Sequence, residues 1–192
     1  MPLALRTRLA DLGAVLFTGP FRAVRHEDFR RFLTGQGISL VGTWMQSIAQ
    51  GWLVLELTRS AFAVGFTSTL ATLPILFFTL YGGVVADRVD KRRFIMLLQF
   101  IMLVEAAVLA ALTLTNQVTV EWIWVLALIF GLATAFEVPA RQAFIVELVP
   151  PEDLVSAAAV NSTTYNLARV VGPAIAGVVV AAGAAGSQHQ GG

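Results

Sequence analysis

The 192 residues contain no cysteine and only two histidines, His26 and His189, so there is no disulfide framework and no cluster of zinc ligands. Charge is scarce too. Asp, Glu, Lys and Arg fill 13% of positions and apolar residues 57%, against roughly 25% and about 45 to 50% in an average globular domain. A soluble fold would lack the charge to cover its surface. The net charge of +1 leaves no electrostatic footprint for nucleic acid. No GxSxG, HExxH, Walker or GxGxxG spacing occurs, and no Ser-His, paired-Asp or metal constellation falls at helical depth, so no enzyme class, cofactor or metal is implied. The basic N-terminus has no apolar stretch long enough for a signal-peptide core; its longest is Gly13 to Phe17.

What is present is apolar length. Spanning a hydrocarbon core of about 30 Å takes roughly 20 residues at about 1.5 Å each. The pattern predicts an all-α membrane protein of about five transmembrane helices, over residues 32–57, 62–86, 94–115, 121–141 and 157–185. Residues 1–31 read as a cytosolic lead-in and 186–192 as a disordered tail. Thirteen Arg and Lys residues orient the chain. Six precede the first helix, four (Arg88, Lys91, Arg92, Arg93) lie between the second and third, and Arg141 closes the fourth, whereas the other side receives Arg59 alone. Positive-inside counting puts the N-terminus in the cytoplasm of a multi-pass plasma-membrane protein, with Trp122 and Trp124 in the outer interfacial belt.

Polar residues in such helices are costly, so their placement is informative. Gln36, Ser39, Thr43, Gln46, Ser47 and Gln50 fall within an arc of about 100° on the first helix. Three glutamines on one stripe favour a water-filled cavity over interhelical hydrogen bonding. On the second helix Gly65, Ser68, Thr72, Thr79 and Gly82 share a face suited to close packing, and Pro74 removes a backbone hydrogen bond in mid-helix. The fifth helix gathers Ser162, Tyr165, Asn166, Arg169, Gly172, Pro173 and Gly177 within an arc of about 140°. Arg169 lies twelve residues inside Ala157, and Glu105 twelve residues inside Arg93. An uncompensated charge at a helix centre costs about 2.5 to 3.5 kcal/mol. Arg169 is therefore expected to line the cavity and pair with Glu105 or Glu137, and Glu105 is also a candidate proton site.

Two stretches carry a family resemblance. GGVVADRVDKRRF, residues 82–94, resembles the cytoplasmic signature of the Major Facilitator Superfamily, with Gly83, Asp87, Arg88, Lys91 and Arg92 at matching positions and Asp90 where that family usually has glycine. An aspartate among basic residues at a helix end can pair with them or cap the next helix. In the family this loop stabilises one gate conformation. The second stretch, FEVPARQAFIVELVPPEDLVSAAAVNSTTYNLARVVGPAIAG, residues 136–177, is similar to the helix four to helix five region of the transmembrane secretion effector and enterobactin-exporter-like branch. Pro139 ends or kinks helix four, Pro150 and Pro151 break the chain, and Gly172-Pro173 gives a flexible point deep in helix five.

The resemblance implies a secondary active exporter of small molecules, drugs or siderophore-like compounds, working by alternating access with protons as the coupling ion. Candidate cavity or coupling residues are Gln36, Gln46, Gln50, Glu105, Glu137, Arg141, Asn166 and Arg169, with Gly172 and Pro173 as the hinge. Superfamily members have two six-helix halves with the substrate site between them. The chain therefore reads as an incomplete N-terminal half, inactive alone, whose partners are the lipid bilayer, a small-molecule substrate, and a missing C-terminal half or another membrane chain. The alternative is a five-helix membrane binding or assembly partner that transports nothing.

Overall fold

The computed structural model describes the backbone of residues 21–189 and side chains as far as residue 180. The first twenty residues of the expected lead-in and the last three of the expected tail lie outside that range. Five long helices follow one another: α1 (Glu27–Thr58), α2 (Ala61–Ala86), α3 (Lys91–Leu114), α4 (Val120–Leu148) and α5 (Leu154–His189), with short 3-10 turns at Arg22–Arg25 and Pro151–Asp153.

The boundaries depart from the hydropathy reading wherever a helix extends past its apolar stretch. α1 starts at Glu27, five residues before Phe32, with Glu27 and Asp28 in its first turn, where carboxylates suit the positive end of the helix dipole. α4 does not end near Pro139 but carries that residue inside and continues to Leu148. The chain breaks only at Pro150, which is extended (φ −67°, ψ 158°) and precedes a second proline that excludes the helical conformation from it. α5 runs to His189, past the expected end at Ala185.

Among the described residues four helical segments are long and apolar enough to cross a membrane: 61–86, 91–114, 120–148 and 151–180. α1, at 32 residues, is longer than each of these segments, but its Gln, Ser, Thr and Gly content dilutes its apolarity and keeps it from this set. The outward faces are those of a lipid-facing protein. Leu76 is 77% exposed, Leu80 83% and Leu114 84%, whereas Glu105 is only 2% exposed. Hydroxyls along α2 donate to carbonyls one turn back, Thr67 to Ala63 O at 2.8 Å, Ser68 to Val64 O at 3.1 Å and Thr72 to Ser68 O at 2.8 Å, which removes the need for water.

The chain forms two compact units. One comprises Met1–Trp44 with Ile145–Ile175, the other Met45–Phe144 with Ala176–Gly192. In the first, Ala23, Phe29, Ile145, Val149, Ala157 and Val160 form the core. The turn before α1 is fixed there by Asp153, whose carboxylate meets Arg22 Nε at 3.3 Å and His26 Nε2 at 2.9 Å, while the Ala23 N–H donates to Ser156 Oγ at 2.9 Å.

In the second unit one cluster (Val54, Ala63, Leu109, Ile123, Leu126) joins α1 through α4, and another (Ala86, Ile95, Ala140) joins α2, α3 and α4. Between these, α2 and α4 approach to backbone contact. A Cβ placed on Gly131 would lie 2.5 Å from Ala71 O, and one on Gly82 would lie 2.7 Å from Ala135 O. Trp124 adds a cross-link by donating its indole N–H to Thr67 Oγ1 at 3.1 Å. The small face predicted for α2 is thus real at Gly82, whereas Gly65 faces open space. Trp124, expected in the interfacial belt, is half-buried in this helix contact, while Trp122 is 50% exposed.

Candidate functional site

The polar groups of the spans gather into small constellations, and each unit holds its own. In the second unit Glu105, midway along α3, is buried against α1. Gln46 Nε2 donates to its Oε2 at 2.6 Å and Gln50 Nε2 to its Oε1 at 3.4 Å. One helical turn separates the two glutamines, so both amides reach one carboxyl. Both partners are amides, so no cation among the described residues neutralises Glu105.

Glu137 is neutralised within its own helix. Arg141 lies one turn further along α4, its Nε 3.3 Å from Glu137 Oε1, with both residues more than 90% buried. The contact has the distance of an ion pair but not the geometry of a hydrogen bond at Nε. Burying two charges without that pairing would be costly, so each holds the other in place.

In the first unit Gln36, 3% exposed on α1, donates from Nε2 to Asn161 Oδ1 on α5 at 3.1 Å. A Cβ on neighbouring Gly37 would stand 3.4 Å from Thr164 Cγ2, so the helices touch along this line. Further along, Arg169 is exposed and holds its guanidinium carbon 5.6 Å from the centre of the Trp44 ring. Tyr165 meets the same ring edge-on at 5.9 Å. Within this unit the neighbours of Arg169 are aromatic. Asn166 is exposed and donates to the Ser162 carbonyl of its own helix at 2.8 Å.

The glutamine stripe is thus spent on interhelical hydrogen bonds, the alternative to a wet cavity, at Gln36, Gln46 and Gln50 alike. Gly172 is buried and Pro173 half-buried inside an unbroken α5. In the basic loop, Asp87 closes α2 by donating its N–H to Gly83 O at 3.1 Å, while Asp90 caps α3 by accepting from the Arg93 N–H at 2.8 Å. That cap gives Asp90 a local purpose at the position where the signature usually has glycine. Asp87, Arg88 and Arg92 are exposed and Lys91 half-exposed.

Sequence reasoning overlooked Trp44 as the partner of Arg169, Gly131 as the closest helix contact, and the clamp on Asp153. The small-residue run Gly131, Ala133, Ala135 was a legible sign of the second. The other two depend on which helices meet, which no local pattern encodes.

The model of the family described as transmembrane secretion effector matches residues 18–189. Among curated proteins the chain is similar to the staphyloferrin A transporter of Staphylococcus aureus, at 29% identity over 78% of the chain and 38% of that protein. It is similar to macrolide efflux protein A of Streptococcus pyogenes, at 27% over 79% of the chain and 37% of the relative. The enterobactin exporter EntS of Salmonella typhimurium is 27% identical over 82% of the chain and 38% of its own length. The chain therefore spans well under half the length of these relatives. No solved structure matches it. With an all-helical fold, four apolar spans, the DRVDKRR loop and the ARVVGP helix in place, this chain is a multi-pass membrane protein that belongs to the transmembrane secretion effector family of the Major Facilitator Superfamily.

Proposed function

We propose that these helices serve in a secondary active exporter of small molecules, of drug or siderophore type, that works by alternating access and is driven by proton entry. The observation that carries the coupling is Glu105. It is a buried carboxyl inside a span whose partners among the described residues are the neutral amides of Gln46 and Gln50. An amide can donate from nitrogen to a carboxylate or, turned over, accept from a carboxylic acid, so the site is satisfied in either protonation state. A carboxyl locked to an arginine, as Glu137 is to Arg141, would surrender a salt bridge on taking a proton.

In this reading α1 is the fifth span, with its polar stripe paid off by neighbouring helices. The N-terminus is cytoplasmic, as the distribution of Arg and Lys supports. Gly83, Asp87, Arg88, Lys91 and Arg92 belong to the cytoplasmic gate, and Gly172-Pro173 to the bending point of α5. Superfamily transporters alternate access between two halves. We therefore assign these helices to one half, acting with further helices of the same polypeptide or of another membrane chain and completing no cycle alone.

The test is efflux from proteoliposomes holding the complete gene product, with staphyloferrin A, enterobactin and a macrolide, the solutes named for the relatives, as probes. At least one is expected to be driven out as protons enter down an imposed gradient, and Glu105→Gln to abolish the gradient dependence while leaving solute binding within about twofold of native. Gradient-driven efflux that survives Glu105→Gln unchanged would remove Glu105 from the coupling.

A further inference from the structure

We infer that Arg169 and Trp44 form a binding site for a carboxylate group of the transported solute, an inference that rests on the exporter reading and names the chemistry of what is exported. Arg169 differs from the arginines that meet a carboxylate. Arg22 faces Asp153, Arg31 faces Glu27 and Arg141 faces Glu137. Among the described residues nothing accepts a hydrogen bond from Arg169, whose guanidinium carbon lies over the Trp44 ring, 5.6 Å from its centre.

The described residues of its own unit supply no anion at that depth. The acidic residues there, among the described ones, are Glu27, Asp28, Glu147, Glu152 and Asp153. All lie at the start of α1, the end of α4 or the turn between α4 and α5. Asp153 precedes Arg169 by sixteen residues, a rise of about 24 Å along α5. A permanent cation inside a span with no counter-ion is expensive unless something brings one.

The geometry suits an arriving carboxylate. A cation held over a ring is attracted by the ring's quadrupole and spends none of its N–H donors on that contact. The planar guanidinium keeps its fork for a bidentate acceptor, which a carboxylate matches. The Trp44 indole N–H is buried with no acceptor, so a second unspent donor lies beside the cation. Tyr165, edge-on to Trp44, restrains the ring and with it the platform under the guanidinium.

The experiment is equilibrium dialysis of the full chain in lipid nanodiscs against 2-naphthoate and its neutral isostere 2-naphthamide. Native chain is expected to take naphthoate at least tenfold more tightly than naphthamide. Arg169→Gln should bring naphthoate down to the naphthamide level, and Arg169→Lys, which keeps charge but loses the fork, should retain only part of the preference. Equal affinity of the two probes for the native chain would overturn the inference, with or without a foldable variant. So would undiminished naphthoate preference in Arg169→Gln, or phenylphosphonate displacing naphthoate as well as benzoate does. No transport step enters, so lost discrimination with efflux intact would strike this inference alone, and discrimination intact without efflux would strike the exporter reading alone.

Discussion

Replacing Gly131 with alanine adds one methyl at the tightest point between α2 and α4. The new Cβ would stand 2.5 Å from Ala71 O, 2.9 Å from Ala71 C and 3.0 Å from Leu70 O, all backbone atoms that cannot rotate away. Restoring ordinary contact at 3.4 Å from 2.5 Å requires α2 and α4 to part by about 0.9 Å. Such overpacking costs about 1 to 3 kcal/mol. Alanine would otherwise gain up to about 1 kcal/mol over glycine from helix propensity, so the sign of the result is diagnostic. Gly65→Ala and Gly83→Ala, where an added Cβ meets nothing within 4 Å, are the matched controls. Detergent unfolding followed by Trp124 fluorescence reads the same helix contact, because Trp124 bonds to Thr67 and packs edge-on against Phe66 at 5.0 Å. Gly131→Ala should unfold at lower denaturant while both controls unfold at or above the native midpoint. A Gly131→Ala chain as stable as Gly65→Ala would refute the close approach.

Three further outcomes follow from particular contacts. Removing the guanidinium in Arg141→Gln leaves Glu137 buried without its cation, and unfolding should show a loss of about 3 to 5 kcal/mol, several times that of Gln46→Leu, which forfeits one interhelical hydrogen bond of about 0.6 to 1.7 kcal/mol. Asp153→Ala strips Arg22 and His26 of their shared acceptor, so trypsin should cut after Arg22 and Arg25 faster than in the native chain, while Glu152→Ala, at an exposed neighbour, leaves the rate unchanged. The absence of cysteine makes topology simple to map: a membrane-impermeant maleimide should label Gln117→Cys on intact cells and Val89→Cys only after permeabilisation, and the reverse pattern would invert the orientation.

The all-helical fold and its apolar spans were legible because lipid imposes apolar runs of fixed length on any chain that crosses it. Boundaries were less so. Hydropathy marks where lipid begins, not where the backbone stops turning, and so it missed the polar first turn of α1 and the passage of α4 through Pro139. Stripe residues were found by period, yet their partners were not. Glu105 answers Gln46 and Gln50, Gln36 answers Asn161, and Glu137 answers Arg141. Of these only the last is an i, i+4 relation that the sequence could display. Asp90 appeared as a departure from a motif until its side chain was seen to cap α3.

The most direct test of the exporter account is solute flux in proteoliposomes containing the complete gene product, with an imposed proton gradient and a protonophore control. The account predicts flux of at least one of the three probe solutes above that of protein-free liposomes, collapsing when the protonophore is added. Flux indistinguishable from protein-free liposomes under gradients of both signs would contradict it.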